Sequence, residues 1–225
     1  MSSSTGAAAA PAAQPSRRSF IEFVTQPAVD RVVAIIACAP FIWLTYYRYT
    51  HWPLGLPLLA FSTGIVVLLV TMILRRAPKR LTPNPWFWAL AFVATYWPML
   101  TLAFMQRGRS LVPPMVVDSM SVLGLIVMVW ARLSLGRNIG FVPAQREIVT
   151  TWAYGYVRHP IYAGLFMTML GVTLRAFNPR NAALMGTQVA LLMIKSVVEE
   201  RFLSADPQYA AYLQKVRKRW IPFVL

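Results

Sequence analysis

Acidic residues are scarce in this chain: seven Asp and Glu stand against 22 Lys and Arg among 225 residues, a formal charge of +15. Cys38 is the single cysteine, so no intramolecular disulfide can form and the redox compartment is not encoded. Its place in the first apolar run makes it a small packing residue. There is no internal repeat and no glycine fingerprint of a dinucleotide-binding turn. Charge of either sign is missing from long stretches, and Leu54–Leu74 and Pro85–Met105 contain none. With 57% hydrophobic residues, these gaps exclude a soluble domain, which would have too little polar surface to stay dispersed. They also exclude a nucleic-acid binder, because the basic residues sit in short clusters between uncharged runs instead of covering one solvated face.

What remains is an all-α integral membrane protein. A span needs about 20 apolar residues. Ala28–Tyr47 qualifies with Asp30 and Arg31 at its interface, as do Leu54–Leu74, Pro85–Met105 and Val112–Trp130, the last with Asp118 capping or pairing at its edge. Ile161–Phe177 and Ala182–Val198 are shorter and join through the turn signal Asn178-Pro179-Arg180-Asn181. They read as a hairpin that crosses thinly or in part, making about six helices. Three regions follow: a disordered tail over 1–19, a four-helix region over 20–134, and a region over 135–225 that carries the hairpin. Ser16–Ile21 has the look of a twin-arginine export signal, but Glu22, Gln26, Asp30 and Arg31 break its apolar stretch, so no cleaved leader is expected.

Six spans put fifteen of the basic residues on one side and five on the other, with Arg31 and Lys195 inside spans. The positive-inside rule then makes both termini and the Ala131–Pro160 connection cytoplasmic, in a multi-pass protein of an inner or cytoplasmic membrane.

Two cytoplasmic pieces are unlike ordinary loops. One runs from Leu135-Gly136-Arg137-Asn138 through Ile148, Val149 and Tyr154 to Arg158-His159-Pro160-Ile161-Tyr162-Ala163-Gly164. The other runs from Lys195 through Glu199-Glu200 and Tyr209-Ala-Ala-Tyr212 to Arg219-Trp220-Ile221-Pro222. Folding the hairpin brings them together. Glu199 lies four residues after Lys195 on one helix face. The acidic pair suits an ammonium or a sulfonium, and Tyr154, Tyr162 and Tyr212 offer ring faces. Pro160 starts a helix whose N–H groups suit an anion. Gly164, Thr168 and Gly171 form a small-residue stripe that lets the hairpin close tightly. Each piece also has a plain structural reading: a headgroup anchor at Arg158 and His159, an ion pair at Lys195–Glu199, a solvated helix end, an interfacial tyrosine belt, and lipid contact at Lys215–Arg219.

Taken jointly and in order, Arg-His-Pro-x-Tyr-x-Gly, a short hairpin, Glu-Glu, Tyr-x-x-Tyr and a terminal Ile-Pro resemble the isoprenylcysteine carboxyl methyltransferases and their relatives, the phospholipid N-methyltransferases. The resemblance covers about Leu135 to Leu225. It implies S-adenosylmethionine as cofactor, held by Ile148, Val149, Tyr154, His159, Pro160, Tyr162 and Glu199, with Arg146 and Glu200 beside them. It implies that Lys195 faces the acceptor, giving Lys195 and Glu199 the catalytic roles. Three positions depart from the family pattern. Lys195 replaces an Arg, so a bidentate fork for a carboxylate is lost. Arg146 replaces a frequent His, and Thr151-Trp152-Ala153 replaces a Gly-containing turn. The implied reaction is in-line methyl transfer to a lipophilic or membrane-delivered acceptor, in which the protein mainly aligns the partners in a dry pocket. No metal and no protein partner is expected, only the lipophilic substrate and membrane lipids. Two other readings stay open: an NADPH-dependent membrane reductase akin to sterol reductases, which usually carry Asn and an acidic residue where Ile161 and Leu165 stand, and a membrane protein without enzymatic activity.

Overall fold

The computed structural model describes residues 22–51 and 56–220. The expected tail over 1–19, the twin-arginine stretch and the terminal Ile221-Pro222 lie outside the described residues. Among the described residues, seven α-helices make up the bundle: α1 Pro27–His51, α2 Leu56–Ile73, α3 Pro85–Phe104, α4 Pro114–Leu135, α5 Pro160–Arg175, α6 Pro179–Leu203 and the short α7 Pro207–Lys215. Six of them start on proline, where the missing N–H costs nothing. Asn84, Asn178 and Asp206 cap α3, α6 and α7 by accepting from the N–H groups of Trp86, Asn181 and Gln208.

Among the described residues, four helices are long and apolar enough to cross a membrane, at Pro27–Tyr47, Pro85–Phe104, Pro114–Asn138 and Pro179–Leu203. The six expected spans are thus four by this measure. In α2 the apolar helix that can be described is Ser62–Ile73. The 16 residues of α5 reach only about 24 Å at 1.5 Å each, short of a hydrocarbon core of about 30 Å. The second hairpin arm is the opposite case: α6 runs for 25 residues from Pro179 to Leu203, well beyond the expected Ala182–Val198. Large apolar side chains such as Ile36, Trp43, Val66, Leu123 and Ile126 face outward, an arrangement that lipid tolerates and water does not.

The small-residue stripe on α5 is real, but its partner is α4 and not the other hairpin arm. A Cβ added to Gly124 would lie 2.6 Å from the Gly164 carbonyl oxygen, and one added to Gly164 would lie 2.5 Å from the Gly124 oxygen and 2.7 Å from the Met128 nitrogen. Backbone meets backbone there, so neither side can yield. Gly171 stands over Ser121 and Val117 of the same helix. Meanwhile α6 lies along α3, through Trp97 donating to the Leu184 carbonyl and Lys195 to Thr95. The two hairpin arms therefore pack on different neighbours. Gly164→Ala should lower stability by roughly 1–3 kcal/mol, the usual cost of overpacking. A thermal melt of the purified variant within a degree of wild type would remove the close crossing from the account.

Both ends of the bundle are tied by polar contacts. At one end, Arg75 grips Asp30 with two nitrogens at 2.7 and 2.6 Å, in a buried fork joining the start of α1 to the end of α2. Nearby, β1 (Arg80–Leu81) pairs antiparallel with β2 (Ala144–Gln145), which fastens the α2–α3 connection to the long α4–α5 connection. At the other end, Asn181 exchanges hydrogen bonds with Gln106, and Arg175 pairs with Asp118 at 2.6 Å. The edge pairing expected of Asp118 is thus present. Cys38 is buried beside Ala34, Leu68, Met72 and Ile139, as a packing residue should be.

Candidate functional site

The α4–α5 connection, the start of α5, the end of α6 and α7 converge at the end of the bundle that carries Arg75 and Asp30. They enclose a cavity of about 280 Å³, close to the lower end of the range of small-molecule pockets, about 300–1,000 Å³. Its polar wall holds Arg146, Ile148, Val149, Tyr154, His159, Tyr162, Lys195 and Glu199, eight of the ten residues singled out from the sequence. Its other wall reaches into the bundle along Ile65, Leu68, Leu125 and Met128.

Two glutamates line this cavity, Glu147, which pairs with Arg76, and Glu199. The Tyr162 hydroxyl donates to Glu199, 2.9 and 2.8 Å from its two oxygens. Lys195 Nζ stands 3.9 Å away and His159 Nδ1 3.8 Å away. Lys195 is buried, donates to Thr95 Oγ1 at 3.0 Å, and lies 5.6 Å from the centre of the Tyr162 ring. The rings of His159 and Tyr162 stack in parallel at 5.2 Å. The expected i, i+4 pairing of Lys195 and Glu199 is present, and Thr95 is a partner that the motifs did not suggest.

Glu200 and Pro160 are the two predicted residues that do not line the cavity. One residue further along α6 turns a side chain by about 100°, and Glu200 points away from Glu199. It takes Arg158 at 2.9 Å, His159 Nε2 at 3.1 Å and Arg219 at 3.1 Å, and is itself buried. The backbone doubles this clasp: the N–H groups of Arg158 and His159 donate to the carbonyls of Lys218 and Arg219. Glu200 thereby fastens the C-terminal segment to the Arg-His-Pro turn. At the start of α5, Pro160 has no N–H and those of Tyr162 and Ala163 are taken by the His159 carbonyl, so of this first turn only the Ile161 N–H is left to meet an anion.

Two further positions explain departures from the family pattern. Trp152 has φ 56°, the left-handed region that favours glycine. The turn before Tyr154 therefore keeps a glycine backbone with a bulky side chain that is exposed, at a cost of about 1–2 kcal/mol. Arg146 donates to the Arg76 carbonyl at 2.9 Å. Burial and the neighbouring Arg75 bring its pKa down to about 10, against the pull of Asp30, so it stays charged at neutral pH. Burial pushes the Tyr154 and Tyr212 hydroxyls well up, and Tyr212 donates to the Tyr154 carbonyl at 2.8 Å.

A bundle with four helices of membrane length and a cavity with a polar wall defines a multi-pass membrane protein. Residues 114–209 match the family model described as phospholipid methyltransferase, from the first turn of α4 to Tyr209 of α7. This match agrees with the resemblance of the ordered motifs. No curated protein matches the chain.

Proposed function

We propose that this protein transfers a methyl group from S-adenosylmethionine to a lipophilic or membrane-delivered acceptor. The observation that carries the proposal is the place of Glu199, a cavity carboxylate held by Tyr162, whereas the other cavity glutamate, Glu147, is exposed and paired with Arg76. The donor set suits the cofactor. Glu199 fits an ammonium, Arg146 a carboxylate, and the faces of Tyr154 and Tyr162 a purine or sulfonium. When bound, that cofactor supplies an electrophilic methyl group. Lys195, buried between Thr95 and Glu199, orients the acceptor toward it, and Pro160 fixes the start of the helix that carries Tyr162. The apolar wall excludes water and receives the acceptor's hydrocarbon part. In this reading Glu200 supports the cofactor set from behind, and the fifteen-to-five basic bias favours a cytoplasmic site with both termini on the same side.

The test is thermal stability in detergent with S-adenosylhomocysteine against NADPH. A ligand at 100 times its Kd stabilises by about 2.7 kcal/mol, which is a rise of roughly 5–10 °C for a chain of this size. S-adenosylhomocysteine should give that rise and NADPH none. In sealed vesicles the ligand should act from the cytoplasmic face alone. A rise with NADPH only, or with neither ligand, would sink the proposal.

A further inference from the structure

Arg132, near the inner end of α4, has no place in the reading above. Its Nη1 donates to the Gly64 carbonyl at 2.8 Å, while its Nε is shut off from solvent with no partner. Gly64 lies nine residues before the end of α2, so the guanidinium reaches about 13 Å along that helix from its inner end. Its neighbours on the cavity wall there are Ile65, Leu68, Leu125 and Met128. A cation at such a depth is costly unless it is paired or functional.

The other charges of the cavity wall are accounted for. Lys195 has Glu199, Arg158 has Glu200, and Glu147 has Arg76. Arg146 and Arg132 are left without a carboxylate among the described residues. S-adenosylmethionine carries a single carboxylate, and Arg146 stands among the residues that the proposed function gives to it. Arg132, on the apolar side of the cavity, then has nothing to neutralise it but the other ligand.

We infer that Arg132 binds an anionic group, a phosphate or a carboxylate, carried by the lipophilic acceptor inside the cavity. The inference deepens the methyltransferase reading and depends on it for the word acceptor alone. The guanidinium has four N–H donors beyond the one on Gly64, enough for a bidentate anion contact. The hydrocarbon part of such a molecule lies along Leu68, Leu125 and Met128. The anion would sit at hydrocarbon depth while the methyl-accepting group points back toward Lys195. Arg132 is thus a specificity-determining residue, which selects amphiphiles whose charge lies a short distance from the reacting group.

The test compares three single-chain probes of equal tail length in non-ionic detergent: 1-oleoylglycerol 3-phosphate, oleate and uncharged 1-oleoylglycerol. Affinities are read by thermophoresis on wild type, Arg132→Gln and Arg132→Lys, with S-adenosylhomocysteine titrated beside them. Wild type should hold at least one anionic probe roughly 10- to 100-fold more tightly than the neutral one, the range of a charge-assisted hydrogen bond. Whether phosphate or carboxylate binds more tightly names the anion. Arg132→Gln should erase the preference and leave the neutral probe and S-adenosylhomocysteine within about threefold of wild type. Arg132→Lys, which keeps the charge and loses the fork, should fall between, and it decides the matter if the Gln variant does not accumulate. Equal binding of charged and neutral probes by wild type, or a preference that survives in folded Arg132→Gln, overturns the inference. Loss of the preference in Arg132→Gln, with no binding of S-adenosylhomocysteine by wild type, leaves the anion site standing and removes the methyltransferase reading.

Discussion

Glu200→Ala should lower the stability of the protein by about 3–5 kcal/mol, the loss found when one partner of a buried ion pair is removed. In a chain of this size that is a fall in melting temperature on the order of 10 °C. The carboxylate is buried and serves Arg158, His159 and Arg219 together. Its removal strands Arg158, whose side chain is only 12% exposed. The Arg219 arm adds less, because that side chain is 37% exposed and water screens it. With the clasp open, residues 217–220 lose their hold on the turn before α5, and Trp220 loses its seat beside Ala94 and Leu192. Glu200→Gln keeps the shape and some of the hydrogen bonds, so it should lose about half as much. Thermal melts of both variants in detergent check the order. A melting temperature for Glu200→Ala within 2 °C or so of wild type would show that the clasp contributes little.

The second large effect is on binding. Glu199→Gln should weaken S-adenosylhomocysteine roughly 10- to 100-fold, since a hydrogen bond to a charged group is worth about 1.5–3 kcal/mol. The variant keeps a partner for the Tyr162 hydroxyl and removes the charge. Stability should fall by a smaller amount. Lys195 loses its counter-charge, but Thr95 at 3.0 Å and the Tyr162 ring at 5.6 Å remain. The loss should lie between the ~0–1 kcal/mol of an exposed pair and the ~3–5 kcal/mol of a buried one. The adjacent glutamates are thereby separable: Glu200 acts mainly on the melting curve and Glu199 mainly on the binding isotherm. Calorimetric titration of S-adenosylhomocysteine into wild type and both variants reads the contrast. Equal affinity in Glu199→Gln would take this residue out of the cofactor site.

Much of this protein was legible from its residues in order. The spans at Pro85–Phe104 and Pro114–Asn138 declare themselves because a helix in lipid must be apolar along its whole length, a demand that each residue meets locally. The pairing of Lys195 with Glu199 follows from helical spacing alone. The ordered motifs from Leu135 onward point to the same family as the match over 114–209.

Tertiary structure decided what local spacing leaves open. The stripe of Gly164, Thr168 and Gly171 announces close approach, but which helix approaches depends on the packing of the whole bundle, and α4 takes that place. Two adjacent glutamates look alike in a sequence. Their roles divide because a helix turns them about 100° apart, one toward the cavity and one toward cations 19 to 42 residues away along the chain. Thr95 and Gly64 come from spans outside the matched residues 114–209, and Arg132 from the matched α4, where no motif singled it out. They enter the site through contacts with or across distant helices, and such contacts leave no periodic trace in the chain.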